Sequence, residues 1–372
     1  MAEGGGLRRL LRVLGRPVRR FGQAGPYALR PYRGYASDSE AFLMGRVFRQ
    51  LAGATAIEGP EPAGNLRALG RRLLRWGARG AMVRATLDGH ALTAETDRDG
   101  YFRLHWRGLA LRPDASPWHR VAVELLGRDG APTVTAEGAV YLAPPSSDFV
   151  VISDIDDTVM HTGVANAAVM MWQLFFKPAE SRLTFPGVGA FYRALHEGGA
   201  GAAGNPMLFV SRAPWSIYDV LEAFFTLHGI PGGPVMFLRE WGLTLQSPLP
   251  RRARDHKRSL VAHIMDLYAG RPAVLIGDSG QHDPELYAEI VRRYPGRVRA
   301  IYIRDVGAGA DRAAAIRALG GGPVETAVPF LLSDSTVAMA ENAAALGLIR
   351  PEALQAVAAD AAPDPAADSP VG

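Results

Sequence analysis

A chain of 372 residues with 48% hydrophobic content is long enough for two domains that each bury a core. The absence of cysteine excludes disulfides, thiolate metal sites and a cysteine nucleophile, and apolar runs such as residues 150–152 with their neighbours or 273–276 fall far short of the roughly 20 residues a membrane-spanning helix needs. The net charge is +4 and the basic residues are almost all arginine, Lys177 and Lys257 being the lysines, so the basicity reads as compositional bias and no nucleic-acid partner is expected.

Residues 1–25 form a basic amphipathic segment. Leu7, Leu10, Leu11 and Leu14 recur at helical spacing between arginines, and Arg8, Arg9, Arg12, Arg16, Arg19, Arg20, Arg30 and Arg33 face a single acid, Glu3, before residue 38. Residues 7–20 fit either a terminal helix, packed or frayed, or a helix lying on an anionic membrane surface. The long apolar core and cleavage site of a secretory signal are missing. Cytoplasmic location, peripheral to the inner face of the membrane if the segment docks there, is the expectation.

Residues 26–146 are expected to form an antiparallel β-sandwich-like domain. Segments 81–87 and 91–96 flank Asp88-Gly89-His90, a second Asp-Gly turn at 99–100 leads into 101–106, and 121–126 and 133–142 flank Arg128-Asp129-Gly130. Tight Asp-Gly turns between alternating runs are hairpin signals. A helical patch at 65–76 interrupts the series.

After Pro144-Pro145 apolar strands alternate with amphipathic helices over residues 147–345, which predicts an α/β domain with a parallel sheet. The strands fall at 149–153, 207–211, 235–238, 273–276 and 298–303, and the helices at 187–197, 214–228, 255–268 and 284–294. Residues 346–372 should carry a C-terminal helix and a tail, disordered from 360 onward by its Ala, Pro and Asp content.

Ligands of open parallel sheets lie beyond the carboxyl ends of the strands, and polar residues stand at three of those ends. The first strand runs into Asp154-Ile155-Asp156-Asp157-Thr158, whose carboxylates at i and i+2 share one side of the chain; an acidic turn capping the next helix is the plain alternative. The second ends in Ser211-Arg212-Ala213-Pro214-Trp215, where Ser211 suits either a phosphate oxygen or a helix cap. The third ends in Gly277-Asp278-Ser279-Gly280-Gln281-His282-Asp283-Pro284. Asp278 and Asp154 would give a hard cation such as Mg²⁺ two oxygen ligands, and Asp283 suits either the site or the cap before Pro284. Lys257, near a helix start, opposes the helix dipole, which local helix physics does not explain; neutralising a phosphoryl group would, and a solvated surface lysine is the plain alternative.

Taken in order, carboxylate pair, hydroxyl, lysine and Gly-Asp-x4-Asp resemble the haloacid dehalogenase phosphohydrolase superfamily over roughly residues 148–305. Asp154 to Thr158, Ser211-x-x-Pro214-Trp215, His256-Lys257 and Gly277 to Gln281 with Asp283-Pro284-Glu285 look like the narrower family typified by the fungal actin-patch-associated phosphatidate phosphatase. Leu29-Arg30-Pro31-Tyr32-Arg33-Gly34-Tyr35 is similar to bacterial members.

The resemblance implies a Rossmann-like parallel sheet with a small cap insertion, and a phosphomonoester hydrolase working through a phosphoaspartyl intermediate. It implies Asp154 as nucleophile, Asp156 as acid and then base, and Mg²⁺ held by Asp154, Asp278 and the Asp156 backbone carbonyl. Ser211 and Lys257 would grip the phosphoryl oxygens and Thr158 would position the Asp154 loop. Asp283 would contact the metal through water or orient Lys257. Arg212 stands where relatives have small residues, which leaves phosphate binding and substrate choice both open to it.

Residues 161–187 are too short for a large cap, so an open site is expected. The apolar run Val169, Met170, Met171, Trp172, Leu174, Phe175 and Phe176 suits either packing on the sheet or insertion into a bilayer. Phosphatidate is the substrate the resemblance implies. A soluble phosphomonoesterase and a non-catalytic lipid-binding or scaffold module are the alternatives.

Overall fold

The computed structural model describes residues 24–51, 76–113, 116–155, 185–211, 218–237, 253–307, 309–320 and 328–362. The segments expected as an N-terminal helix (7–20), a helical patch (65–76) and an apolar cap insertion (161–187) lie wholly or mostly outside them.

Six parallel strands make the sheet that carries the motifs: β10 (Val150–Asp154), β11 (Met207–Ser211), β12 (Val235–Phe237), β13 (Ala273–Asp278), β14 (Val298–Arg304) and β15 (Phe330–Ser333). Their spatial order is β12-β11-β10-β13-β14-β15, and each neighbouring pair is parallel. Every residue of β10, β11 and β13 is buried, as expected of strands covered on both faces.

Alternate side chains enter two separate cores. Val151, Phe209 and Tyr302 pack with Phe191 of α1 (Val188–Glu197), Leu221 of α2 (Tyr218–Leu227), Met339 of α6 (Thr336–Ala345) and Val357 of α7 (Ala353–Ala361). Ile152, Val210 and Leu275 pack on the other face with Ile264 of α3 (Ala253–Leu267), Tyr287 of α4 (Asp283–Arg293) and Ile316 of α5 (Ala310–Leu319). The chain moves outward from β10 to β12 and returns to place β13 against the other side of β10. That reversal opens a crevice at the carboxyl ends of β10 and β13.

The strands expected in this unit stand within two residues of their expected limits. Three elements were not foreseen: β15, a half-exposed edge strand, α5, which buries Ile316 alone, and α6, whose buried face of Thr336, Met339, Ala340 and Ala343 is mostly small residues. None carries the strongly apolar pattern from which strands and helices are read.

The N-terminal strands are β1 (Ala24–Pro31), β2 (Gly34–Ala36), β3 (Glu40–Leu51), β4 (Trp76–Gly77), β5 (Met82–Leu87), β6 (His90–Glu95), β7 (Tyr101–Arg107), β8 (Trp118–Leu126) and β9 (Pro132–Leu142). Hydrogen bonds join all nine into one sheet, antiparallel except where β2 meets β9. Inward residues of β3, β5, β7, β8 and β9, among them Val47, Val83, Trp106, Val123 and Val140, share one core. The β5–β6 turn has positive φ at both Asp88 (47°) and Gly89 (77°), which is what a two-residue hairpin with right-handed strand twist requires. Strands β1 and β2 were not anticipated as such, because Leu29 to Tyr35 has the proline and glycine of a loop.

That segment ties the two sheets together. Tyr32 is buried in the core beneath α2, its ring 4.4 Å from that of Tyr218. Arg30 bonds Asp219 and Glu222, Arg33 pairs with Glu222 at 3.2 Å, and the Tyr35 hydroxyl lies 3.1 Å from His263 Nε2 on α3.

Candidate active site

Asp154 is the last residue of β10 and is fully buried. Its backbone is in register with Val210 of β11, so Ser211, also buried, stands one position further along the neighbouring strand. On the other side β13 ends in Gly277-Asp278, with Asp278 fully buried. The chain then turns through Ser279 to His282 into α4.

Asp283 opens α4 without capping it. The cap position belongs to exposed His282, with no side-chain cap bond, and the Asp283 carboxylate instead accepts from the Asp278 amide at 3.4 Å. Gly277 makes this possible: a Cβ there would lie 2.6 Å from both Cβ and Oδ2 of Asp283. Lys257 reaches the same point from α3, 5% exposed. Its ammonium sits 3.0 Å from Asp154 Oδ1 and donates to Asp283 Oδ1.

The structure therefore brings Asp154, Lys257, Asp278 and Asp283 to one place from four positions in the sequence, with Asp283 both in contact with Lys257 and grouped with the other two carboxylates. Carboxylate oxygens of the three aspartates lie within 4.8 Å of one another. Among the described residues three buried carboxylates face one ammonium, and buried carboxylates are costly unless opposite charge lies close to them. All the acidic groups are hard oxygen donors, so the cluster suits a divalent cation such as Mg²⁺ in both charge and ligand type. Asp156, Thr158 and Arg212 lie outside the described residues.

Gln281, quoted in the motif but given no role there, also belongs to the site. Its Nε2 donates to Asp154 Oδ2 at 3.0 Å and its backbone N–H to Asp278 Oδ1 at 2.8 Å. Below it, Arg312 of α5 holds the carbonyls of Gln281 and Ser279. Arg312 has no sequence signal at all, being one arginine among many in an alanine-rich helix. On the opposite face Ser153 and Tyr192 share a 2.6 Å hydroxyl contact that braces the strand behind Asp154, and burial pushes the Tyr192 phenol well up.

Helices on both faces of a parallel sheet, with an acidic, lysine-bridged cluster at its switch point, define an α/β protein whose three strand-end and helix-start carboxylates lie close enough together to ligate one cation. Residues 149–305 match the model of the catalytic domain of phosphatidate phosphatase APP1, so this segment, less than half of the chain, is similar to that catalytic-domain family. Phosphatidate phosphatase APP1 of Saccharomyces cerevisiae is 31% identical over 153 residues, which cover 41% of this chain and 25% of that protein. An uncharacterized protein of Schizosaccharomyces pombe is 33% identical over 156 residues, 42% of this chain and 25% of the other. The likeness thus spans about a quarter of the length of each of these relatives. Among solved structures, fibronectin(III)-like modules of Clostridium thermocellum CbhA align with 32% of this chain and 96% of theirs at 12% identity, with a TM-score of 0.17, too low to bear on the fold.

Proposed function

We propose that this protein is a Mg²⁺-dependent phosphatase of the haloacid dehalogenase type that hydrolyses phosphatidate to diacylglycerol and phosphate through a phosphoaspartyl intermediate on Asp154. The observation that carries the reading is the buried cluster of Asp154, Lys257, Asp278 and Asp283, three carboxylates grouped within ligating distance of one point, inside a segment matching the APP1 catalytic domain. On this reading the parallel-sheet unit is a Rossmann-like phosphohydrolase domain and the N-terminal strands are a sandwich-like companion.

A carboxylate oxygen of Asp154 attacks phosphorus, the bond to the diacylglycerol oxygen breaks, and Asp156 gives that oxygen its proton. Asp156 then takes a proton from water as the water attacks the aspartyl phosphate, which frees Asp154 and inorganic phosphate. Splitting one hydrolysis into two displacements lowers each barrier, and a single group within reach of both oxygens serves as acid and then base. Mg²⁺, held by Asp154, Asp278 and the Asp156 carbonyl, would supply charge neutralisation. Like charges about 4 Å apart oppose attack by roughly 4 kcal/mol at an effective dielectric near 20.

Lys257, steered by Asp283, grips the non-bridging oxygens together with Ser211, where phosphoryl-transfer charge resides. Thr158 positions the Asp154 loop, and Arg212 is assigned to phosphate or substrate contact. The apolar run at 169–176 and the basic segment 7–20 suit an enzyme that meets its lipid at an anionic, cytoplasm-facing membrane surface. Among the described residues no helix is long and apolar enough to cross a membrane.

The test is phosphate release with Mg²⁺ from phosphatidate in mixed micelles beside a panel of sugar phosphates, nucleotides and phosphopeptides. Phosphatidate should be the preferred substrate. Preference for a soluble ester would replace the lipid assignment with a soluble phosphomonoesterase, and release from none would point to a lipid-binding or scaffold module.

A further inference from the structure

Gln281 touches both strand-end carboxylates at once. Its side-chain amide donates to Asp154 Oδ2 at 3.0 Å and its backbone N–H to Asp278 Oδ1 at 2.8 Å. One residue therefore spans from the end of β10 to the end of β13 and bridges two groups that would otherwise repel. The Lys257 ammonium approaches the other oxygen of Asp154, so both oxygens of that carboxylate face donors and its rotation is restrained from two sides.

The span works only if the turn carrying Gln281 is itself held, and a four-residue turn with a glycine inside it has little rigidity of its own. Arg312 supplies the hold. Its Nη2 donates to the Gln281 carbonyl at 2.7 Å and its Nε to the Ser279 carbonyl at 3.2 Å. The guanidinium is in turn fixed by the Glu285 carboxylate, which it engages through both Nη1 and Nη2. A forked pairing of this kind fixes the plane of an arginine as well as its position. Arg312 lies seven residues beyond the matched segment 149–305, on a helix that otherwise buries little.

We infer that Gln281 is a positioning residue that sets the separation and orientation of Asp154 and Asp278, and that Arg312 acts through Gln281 by clamping the turn that presents it. This rests on reading Asp154 as the nucleophile and Asp278 as its partner in holding Mg²⁺. Neither residue needs to touch substrate. Their effect falls on the chemical step and on cation affinity, because both depend on where two carboxylates point.

The test compares wild type, Gln281→Ala, Gln281→Asn, Arg312→Ala, Arg312→Lys and the Gln281→Ala/Arg312→Ala double variant in the full chain. The readouts are kcat and KM for phosphatidate and, separately, Mg²⁺ binding by calorimetry without substrate. Gln281→Ala should lose about 10- to 100-fold in kcat or Mg²⁺ affinity, the usual effect of removing a partner of a metal-binding side chain, with KM nearly unchanged. Gln281→Asn keeps the amide but withdraws it by one methylene, so it guards against simple misfolding and should show the same loss. Arg312→Ala should show a smaller loss of the same kind, Arg312→Lys should recover part of it, and the double variant should be no worse than Gln281→Ala.

Losses that multiply in the double variant, or a raised KM with kcat intact, would overturn the inference. A wild type that releases no phosphate from any ester fails the functional reading alone, since the magnesium isotherms still compare the variants. A wild type that binds no Mg²⁺ overturns the inference itself.

Discussion

At Gly277 a side chain has nowhere to go, since its Cβ would fall 2.6 Å from two atoms of Asp283. Alanine there must displace the carboxylate that receives Lys257. Misplacing a positioned group by about 1 Å costs on the order of 100-fold in rate, so Gly277→Ala should lose about that much kcat while its far-UV circular dichroism stays that of wild type. An unchanged kcat would mean that the contact between Lys257 and Asp283 is dispensable. The four charged residues of the cluster were legible in the sequence because three stand where a strand ends or a helix begins and Lys257 lies in the second turn of α3, and such positions in a parallel sheet converge on one crevice. Gln281 and Arg312 were not. An amide and an arginine are ordinary surface residues, and their roles arise from contacts between a turn after β13 and a helix after β14.

On the scale of elements, the segment from Arg30 to Tyr35 joins the nine-stranded sheet to α2 and α3. Its contacts differ in strength. Arg30 and its acidic partners remain partly exposed, 48% for the arginine side chain and 28% and 22% for Asp219 and Glu222, and exposed pairs contribute about 0–1 kcal/mol. Tyr32 is 6% exposed within the core under α2, and deleting a buried aromatic ring costs about 3–5 kcal/mol. Urea unfolding should therefore show Tyr32→Ala destabilised several times more than Arg30→Ala; equal effects would refute packing as the basis of the joint. The strands from β10 to β14 were readable from uninterrupted apolar runs, as fully covered strands must be. Strands β1 and β2 were hidden by Pro31 and Gly34. The latter is required because a Cβ there would meet the Phe42 carbonyl at 2.2 Å, and without the fold it reads only as a turn.

For the molecule as a whole, the joint between the sheets also carries a titrating group. Burial holds the His263 imidazole below its ordinary value of 6.5, His105 lowers it further, and Glu40 and Asp266 oppose the shift. Tyr35 and Phe42 pack against the ring. A group whose pKa is lower in the folded state binds protons on unfolding. Its contribution to stability is complete above about 6.5 and is lost as pH falls through the folded value. The melting temperature should therefore fall below about pH 6.5 more steeply in wild type than in His263→Gln; parallel profiles would place the acid sensitivity elsewhere. The division into a β-rich and an α/β half was visible in the sequence as a change of hydrophobic period near Pro144, whereas the way the halves meet depends on two tyrosines and two arginines that no periodicity marks.

On the proposed mechanism Asp154 carries the phosphoryl group. Acid quenching of the enzyme during turnover of phosphatidate radiolabelled in its phosphate, followed by peptide mapping, tests it directly. The account predicts label on the peptide that contains Asp154 in wild type, and neither label nor phosphate release in Asp154→Asn. Release from the Asp154→Asn variant at the wild-type rate, or label on a different residue, would contradict it.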